Sequence, residues 1–237
     1  IGGCTALLLT GFGIGDSIGD IVDYQFAEVM VYDMEVQFSE GQTAQHQEMF
    51  REKMRPYVDQ MIFYHRTSIE IVYDHRIKEV SMIATDEDLQ PYLNMHCDGK
   101  PIDSPAVGEI ALTVGAAEDL GLNVGDEVVL RNSDLKSLKV KISGIFDNHV
   151  NNYLIINPET IFQQWGTVPA QQMAMINILN HQDIHAAGAE IGTMEDVMAV
   201  SISQDIAEQV GGMLEALNLV VITVVVCAAL LAMIVLY

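Results

Sequence analysis

Positive charge is scarce in this chain: its 237 residues carry 11 Lys and Arg against 33 Asp and Glu, a formal net charge of −22. A surface so negative repels phosphate backbones, which excludes nucleic acid as a partner. Cysteine is scarcer still. Of the three, Cys4 and Cys227 sit in apolar runs and only Cys97 lies in the polar part, so no internal disulfide framework is available. The sequence also lacks a G-x-x-x-x-G-K-[ST] loop, a G-x-S-x-G elbow and an H-E-x-x-H pair. Phosphate cradling of the Walker type and these two hydrolase chemistries therefore have no local basis. No period of about 20 to 50 residues recurs, which argues against a solenoid or propeller.

What the chain has in quantity is apolar sequence at its two ends. Residues 216–237 hold no charged side chain. As an α-helix they reach roughly 33 Å, enough to cross a bilayer core. Residues 1–14 (IGGCTALLLTGFGI) are also uncharged. They are too few to span and are expected to be the outer end of a first transmembrane helix, assigned to residues 1–18. All eleven Lys and Arg lie between Arg51 and Lys141. Neither apolar end has a basic residue where the polar chain emerges, so the positive-inside rule places the intervening domain outside the cytoplasm. The expected location is the cell membrane, multi-pass, with the domain extracytoplasmic.

Periodicity organises the middle. In residues 27–38 Tyr32, Met34, Val36 and Phe38 alternate with Asp33, Glu35 and Gln37, the pattern of a strand with one solvated face. A helix is expected over 41–55, with Phe50, Met54, Tyr57, Val58 and Met61 at helical spacing although Pro56 interrupts it. Strands follow at 67–73 and 78–84. Near the other end 173–179 predicts a strand, 182–194 a helix and 196–202 a strand. Two β-α-β units suggest an α+β fold with a ferredoxin-like mixed α/β layer, made of 19–88 and 170–204. Residues 89–169, rich in turns, are expected to be an inserted small β subdomain, with a strand opening at 108, a short helix over 116–120 and strands at 127–131 and 139–146. Ser203 or Ser201 is placed to cap a last helix over 205–237, whose stripe of Ile206, Val210, Leu214 and Leu217 runs on into the apolar segment as a stalk.

Few residues suggest chemistry. Gly11, Gly13 and Gly15 resemble the start of a dinucleotide loop, but Ile18 stands at the third glycine and no strand precedes it; packing of small residues on a membrane helix explains them better. His181 and His185 stand four apart, with Glu190 or His149 conceivable as further metal ligands, yet the set is incomplete and a polar helix surface accounts for it. His96-Cys97-Asp98 places a thiol beside an imidazole, but neighbours in a turn point apart, which favours an incidental thiol. Gly211-Gly212 suits either a hinge or close packing. No catalytic, cofactor-binding or metal residue is assigned, and substrate-binding residues are not identified.

Three stretches together resemble the FtsX-like (MacB-like) permeases of ABC transporters. GEIALTVGAAEDLGLNVGDEVVLR (108–131) is similar to that family's strand, A-x-x-L-G-L-x-V-G-D, strand segment. VKISGIFDNHVNNYLIINPETIF (140–162) resembles the following G-I-x-x-N…Y…S-P stretch, with Asn157 in place of Ser. The apolar ends resemble the family's first two spans. The resemblance implies a non-catalytic permease ectodomain driven by a separate cytoplasmic ABC ATPase, working beside a second permease copy or a homologous subunit in the lipid bilayer, with an envelope protein as a further partner. Gly125-Asp126 and Tyr153 are explained as turn residues and a core aromatic. A ligand-sensing ectodomain, or a docking module that activates a cell-wall hydrolase, shares the same topology and is the alternative.

Overall fold

The computed structural model describes residues 24–97, 99–148 and 150–236, with side chains left aside at 27, 182, 214–218, 221, 224, 225, 228, 229, 231, 232 and 234–236. The expected first membrane segment, Cys4 and the glycines at 11, 13 and 15 lie outside the described residues, as do Asp98 and His149. The chain divides into two units, of which one is Val29–Ser203. That unit is mixed α+β.

Its first layer is built from β1 (Met34–Phe38), α1 (Ala44–Met54), the first half of β2 (Val58–Tyr73), β10 (Met173–Ile178), α4 (Ile184–Gly192) and β11 (Val197–Ile202). The strands run β11-β1-β10-β2, every neighbour antiparallel. Met34, Val36 and Phe38 alternate with solvated positions. They pack with Phe50 and Met54 of α1 and with Ile184, Ala187 and Ile191 of α4 in one core. Both helices therefore cover the same face of the sheet. Phe38, Phe50 and Phe63 meet there with ring centroids 5.2 to 6.0 Å apart.

The second half of β2 enters a different sheet. It pairs with β3 (Arg76–Ala84), β3 with β9 (Tyr153–Ile156), β9 with β6 (Glu109–Thr113), β6 with β8 (Ser137–Phe146) and β8 with β7 (Glu127–Arg131). Pairing of Glu70–Val72 with Val129–Arg131 closes these six strands into a ring. Ile69, Ile71, Leu112, Leu130, Ile142 and Leu154 fill its interior, with α2 (Val114–Leu120) and Ile161 of α3 (Pro158–Trp165) added to the same core. Closure removes the free edges that an open sheet exposes.

Local chemistry sets these elements. Thr43 caps α1 by accepting from His46 N at 3.3 Å. Asn157 caps α3 by accepting from Glu159 N at 2.9 Å, with Pro158 in the first turn. Serine and asparagine are both strong N-caps, so Asn157 keeps the role its position implies. Gly121, at φ 74°, ends α2 in the left-handed region.

Several expectations change. The helix expected over 41–55 runs from Ala44 to Met54 and ends before Pro56, but Tyr57, Val58 and Met61 do not continue its face: Val58 opens a strand of 16 residues that was expected only from Thr67. Pro56 is the reason: it cannot continue the hydrogen-bond ladder, and the apolar positions beyond it follow the sheet. The strand expected from Ala27 begins at Met34, after a π-helical turn over Gln25–Val29. The strands at 67–73 and 78–84, expected in the first layer, belong to the ring. The Ser203 hydroxyl, expected to cap the last helix, donates instead to the Tyr32 carbonyl at 2.7 Å.

The second unit holds most of α5, Ser203–Leu236, a helix of 34 residues. Ile206 and Val210 are half-buried while Gln204, Asp205, Glu208 and Gln209 are exposed, which keeps the expected stripe over its first turns. Among the described residues no helix is long and apolar enough to cross a membrane; Leu214, Leu217 and much of the apolar run lie outside the side chains described.

Candidate functional site

β2 is the one strand shared by layer and ring, and a polar cluster sits where it passes between them. Glu35 lies on β1, on the face away from the helices. Arg66 Nη1 donates to both its carboxylate oxygens, at 2.7 and 2.8 Å. The fully buried Tyr64 donates its hydroxyl to the same carboxylate. Gln172, from the segment entering β10, donates to the Arg66 carbonyl at 2.7 Å and, through its side-chain oxygen, meets His65 Nδ1 at 2.7 Å. Three segments distant in sequence are thus tied at one point of β2.

The electrostatics are those of a charge held under cover. Burial and the Glu35 carboxylate push the Tyr64 phenol well above its ordinary value, with Arg66 opposing. Tyr32 is pushed up for the same two reasons. Tyr153 of the ring is raised mainly by burial. For Arg66 burial disfavours the charge, but Glu35, Tyr64 and Tyr153 outweigh it and raise its pKa. The phenols stay neutral and Arg66 stays charged at neutral pH. Breaking its pair with Glu35 leaves an uncompensated charge, which costs more than the pair contributes.

A groove of about 520 Å³ runs beside the first half of β2. Among the described residues no strand pairs with that edge. Arg51 donates to the Met61 carbonyl at 2.9 Å, and the Glu87 carboxylate accepts from Phe63 N at 3.5 Å. Arg51 and Glu87 meet each other at 3.4 Å, and the guanidinium lies 5.1 Å from the Phe63 ring centre. Side chains thereby take the place of a neighbouring strand, a common way to blunt a sheet edge. Tyr92, also lining the groove, is pushed up to about 12 by burial and by the nearby carboxylate of Glu87, with Arg51 opposing.

The residues singled out by sequence are scattered. His181 Nδ1 meets Asp33 at 3.2 Å, and the other oxygen of that carboxylate accepts from Ile178 N at 2.8 Å. Glu190 instead hydrogen-bonds Tyr57 and raises its pKa. Among the described residues no three His, Cys, Asp or Glu side chains are placed to hold a metal ion. β4 (His96–Cys97) and β5 (Lys100–Pro101) form a short ladder, and His96 Nδ1 meets the Asn94 carbonyl at 2.9 Å. Gly125 has φ 100°, and Asp126 accepts from Asn123 N at 2.8 Å, which gives both residues turn roles. Glu35, Tyr64 and Arg66 were missed. The signal available was a carboxylate on the polar phase of an otherwise apolar strand, whose partner only the fold identifies.

No protein-family profile matches the sequence, and no curated protein matches it. Solved structures that are similar include the extracellular domain of the noncanonic ABC-type transporter YknZ from Gram-positive bacteria, at 13% identity and TM-score 0.49, covering 71% of this chain and 99% of that one. Others are the periplasmic region of MacB from Actinobacillus actinomycetemcomitans, at 9% identity and TM-score 0.47, covering 80% and 97%, and a domain of a putative permease protein from Porphyromonas gingivalis, at 10% identity and TM-score 0.42, covering 70% and 79%. At these identities and scores none of them assigns a role to a residue here.

Proposed function

We propose that this chain is the extracytoplasmic domain of an ABC transporter permease subunit, carried at its two ends by membrane segments over 1–18 and 205–237. It transmits ATP-driven conformational change across the membrane to move or release an envelope substrate. It performs no catalysis, and ATP is hydrolysed by a separate cytoplasmic subunit. A second copy or a homologous subunit completes the permease.

The observation that carries this reading is the course of α5. The helix starts at Ser203, the residue after β11, and continues for 34 residues into sequence that is uncharged from 216 onward. No loop separates the end of β11 from the start of α5 in the sequence. Gly211 and Gly212 each weaken the helix by about 1 kcal/mol relative to Ala, and no neighbour lies within 4 Å of a Cβ built at either among the described residues. The absence of a phosphate loop in the sequence fits an external ATPase. The ferredoxin-like reading of the outer layer rests on the strand order β11-β1-β10-β2 and on both helices covering one face.

Cross-linking in native membranes followed by affinity isolation of the full-length protein tests the assignment. The expected co-isolate is an ABC ATPase subunit, linked through cytoplasmic segments. Recovery of the protein without an ATPase, or with a histidine kinase region on the same polypeptide, contradicts it.

A further inference from the structure

At one mouth of the six-stranded ring lies a cavity of about 240 Å³. Its floor is apolar, formed by Ile69, Met82 and Ile161, which belong to the ring core. Its rim is polar, with Thr67 and Ser68 from β2, Asn132 and Ser133 from the β7–β8 hairpin and Thr167 after α3, and it carries one full charge of each sign, Asp134 and Lys136. Trp165, the only tryptophan in the chain, completes the lining.

The indole is held in place. It packs against the ring core, and its Nε1 donates to the Ser137 carbonyl at 3.2 Å. The hairpin wall is equally fixed, because Asn132 accepts from Lys136 N at 2.9 Å and its own N–H donates to the Lys136 carbonyl at 3.0 Å. Left-handed Leu135, at φ 63°, turns the hairpin beside this wall. A rigid aromatic and a rigid polar hairpin facing a small space are the parts of a preformed site.

The lining discriminates between ligand classes. A phosphate ester calls for clustered cations, whereas the charged groups here are Lys136 and Asp134, of opposite sign, with His65 nearby. A wholly apolar ligand strips water from the hydroxyl and amide groups of the rim without replacing their hydrogen bonds. A ring with an apolar C–H face and an equatorial set of hydroxyls satisfies both surfaces, lying on Trp165 and bonding to the rim. We infer that this cavity binds a single neutral pyranose unit of an envelope glycan. Sugar binding by the cavity does not depend on how α5 works, whereas an envelope source for the glycan rests on the extracytoplasmic placement proposed above.

Trp165 is also the reporter. The 237-residue chain, held in lauryldimethylamine oxide rather than a sugar-based detergent, is titrated with glucose, mannose, galactose and N-acetylglucosamine while its tryptophan emission is followed. Inorganic phosphate and 1,2-octanediol serve as the anionic and apolar probes. The expected result is a saturable change with at least one sugar, with a Kd no weaker than about 10 mM, and none with the other two probes. Thr167→Arg, at an exposed rim position, fills the cavity and abolishes the change with the far-UV circular dichroism unaltered. Ser133→Arg, on the opposite wall, does the same if the first variant fails to fold. No saturable response to any sugar, a response retained in a folded rim variant, or saturation by phosphate or octanediol alone overturns the inference.

Discussion

The ring and the layer solve the same burial problem in different ways. The ring closes on itself and is filled almost wholly by Ile, Leu, Val and Ala, so each strand has two neighbours and no sheet edge faces water. The layer stays open. It buries Met and Phe against two helices, leaves β11 as an edge strand, and protects the edge of β2 with Arg51 and Glu87. On its other face it half-buries the Glu35–Arg66 pair. The lesson is that the ring is held mainly by apolar packing, with the Glu70–Arg131 pair across its closing strands, while the layer also depends on a polar cluster that fixes its place on β2.

The largest effect belongs to the ring. Leu130, fully buried where β7 closes on β2, is expected to cost about 4 kcal/mol when replaced by Ala. Denaturant unfolding gives the loss, and hydrogen exchange rises through all six ring strands together. A loss below about 1 kcal/mol means the site collapses freely and closure matters less than proposed.

Next comes the pair. Glu35→Ala leaves Arg66 without its carboxylate and costs about 3 kcal/mol, whereas the double variant Glu35→Met/Arg66→Met recovers most of it. If the double variant is as unstable as the single one, the cluster acts through more than its charges and the contrast with the ring weakens.

A smaller effect separates the phenols from the ion pair. Tyr64→Phe removes one hydrogen bond to Glu35 and costs about 1 kcal/mol. The wild-type chain loses stability as pH rises above 10. Unfolded tyrosines ionise near 10.0, while burial keeps Tyr64, Tyr32 and Tyr153 protonated in the folded state and Tyr92 protonated to about 12, so the unfolded state binds fewer protons in that interval. Melting temperatures between pH 8 and about 12 fall less steeply for Tyr64→Phe than for wild type. The smallest effect is on the ring surface: Lys78→Ala breaks the exposed pair with Asp119 and changes stability by no more than about 0.5 kcal/mol.

Legibility followed the same division. Alternation at Ile69, Ile71, Val80 and Met82 marked ring strands because each has one side facing a wholly apolar interior. The segment of α2 and β7 was legible for another reason, since Gly121 and Gly125 require φ above zero and therefore end elements. Tyr57 to Met61 misled, because their spacing fits a helix and a sheet equally over so few residues. Which sheet the strands at 67–73 and 78–84 join was not legible, since pairing partners come from 127–156 and no local signal names them. The same holds for the cluster. Glu35 and Arg66 are 31 positions apart and become partners only when β1 and β2 are placed in one sheet.

The account stands on the water-facing position of Val29–Ser203 outside the cytoplasm, and side-selective labelling tests it most directly. A single cysteine is introduced as Val124→Cys, an exposed position 59% accessible in the ring turn, in a full-length background in which every native cysteine, Cys4, Cys97 and Cys227 among them, is replaced by Ser. Intact cells are then treated with a membrane-impermeant maleimide. The account predicts full labelling before lysis, equal to that after it; labelling that appears only once the membrane is opened contradicts it.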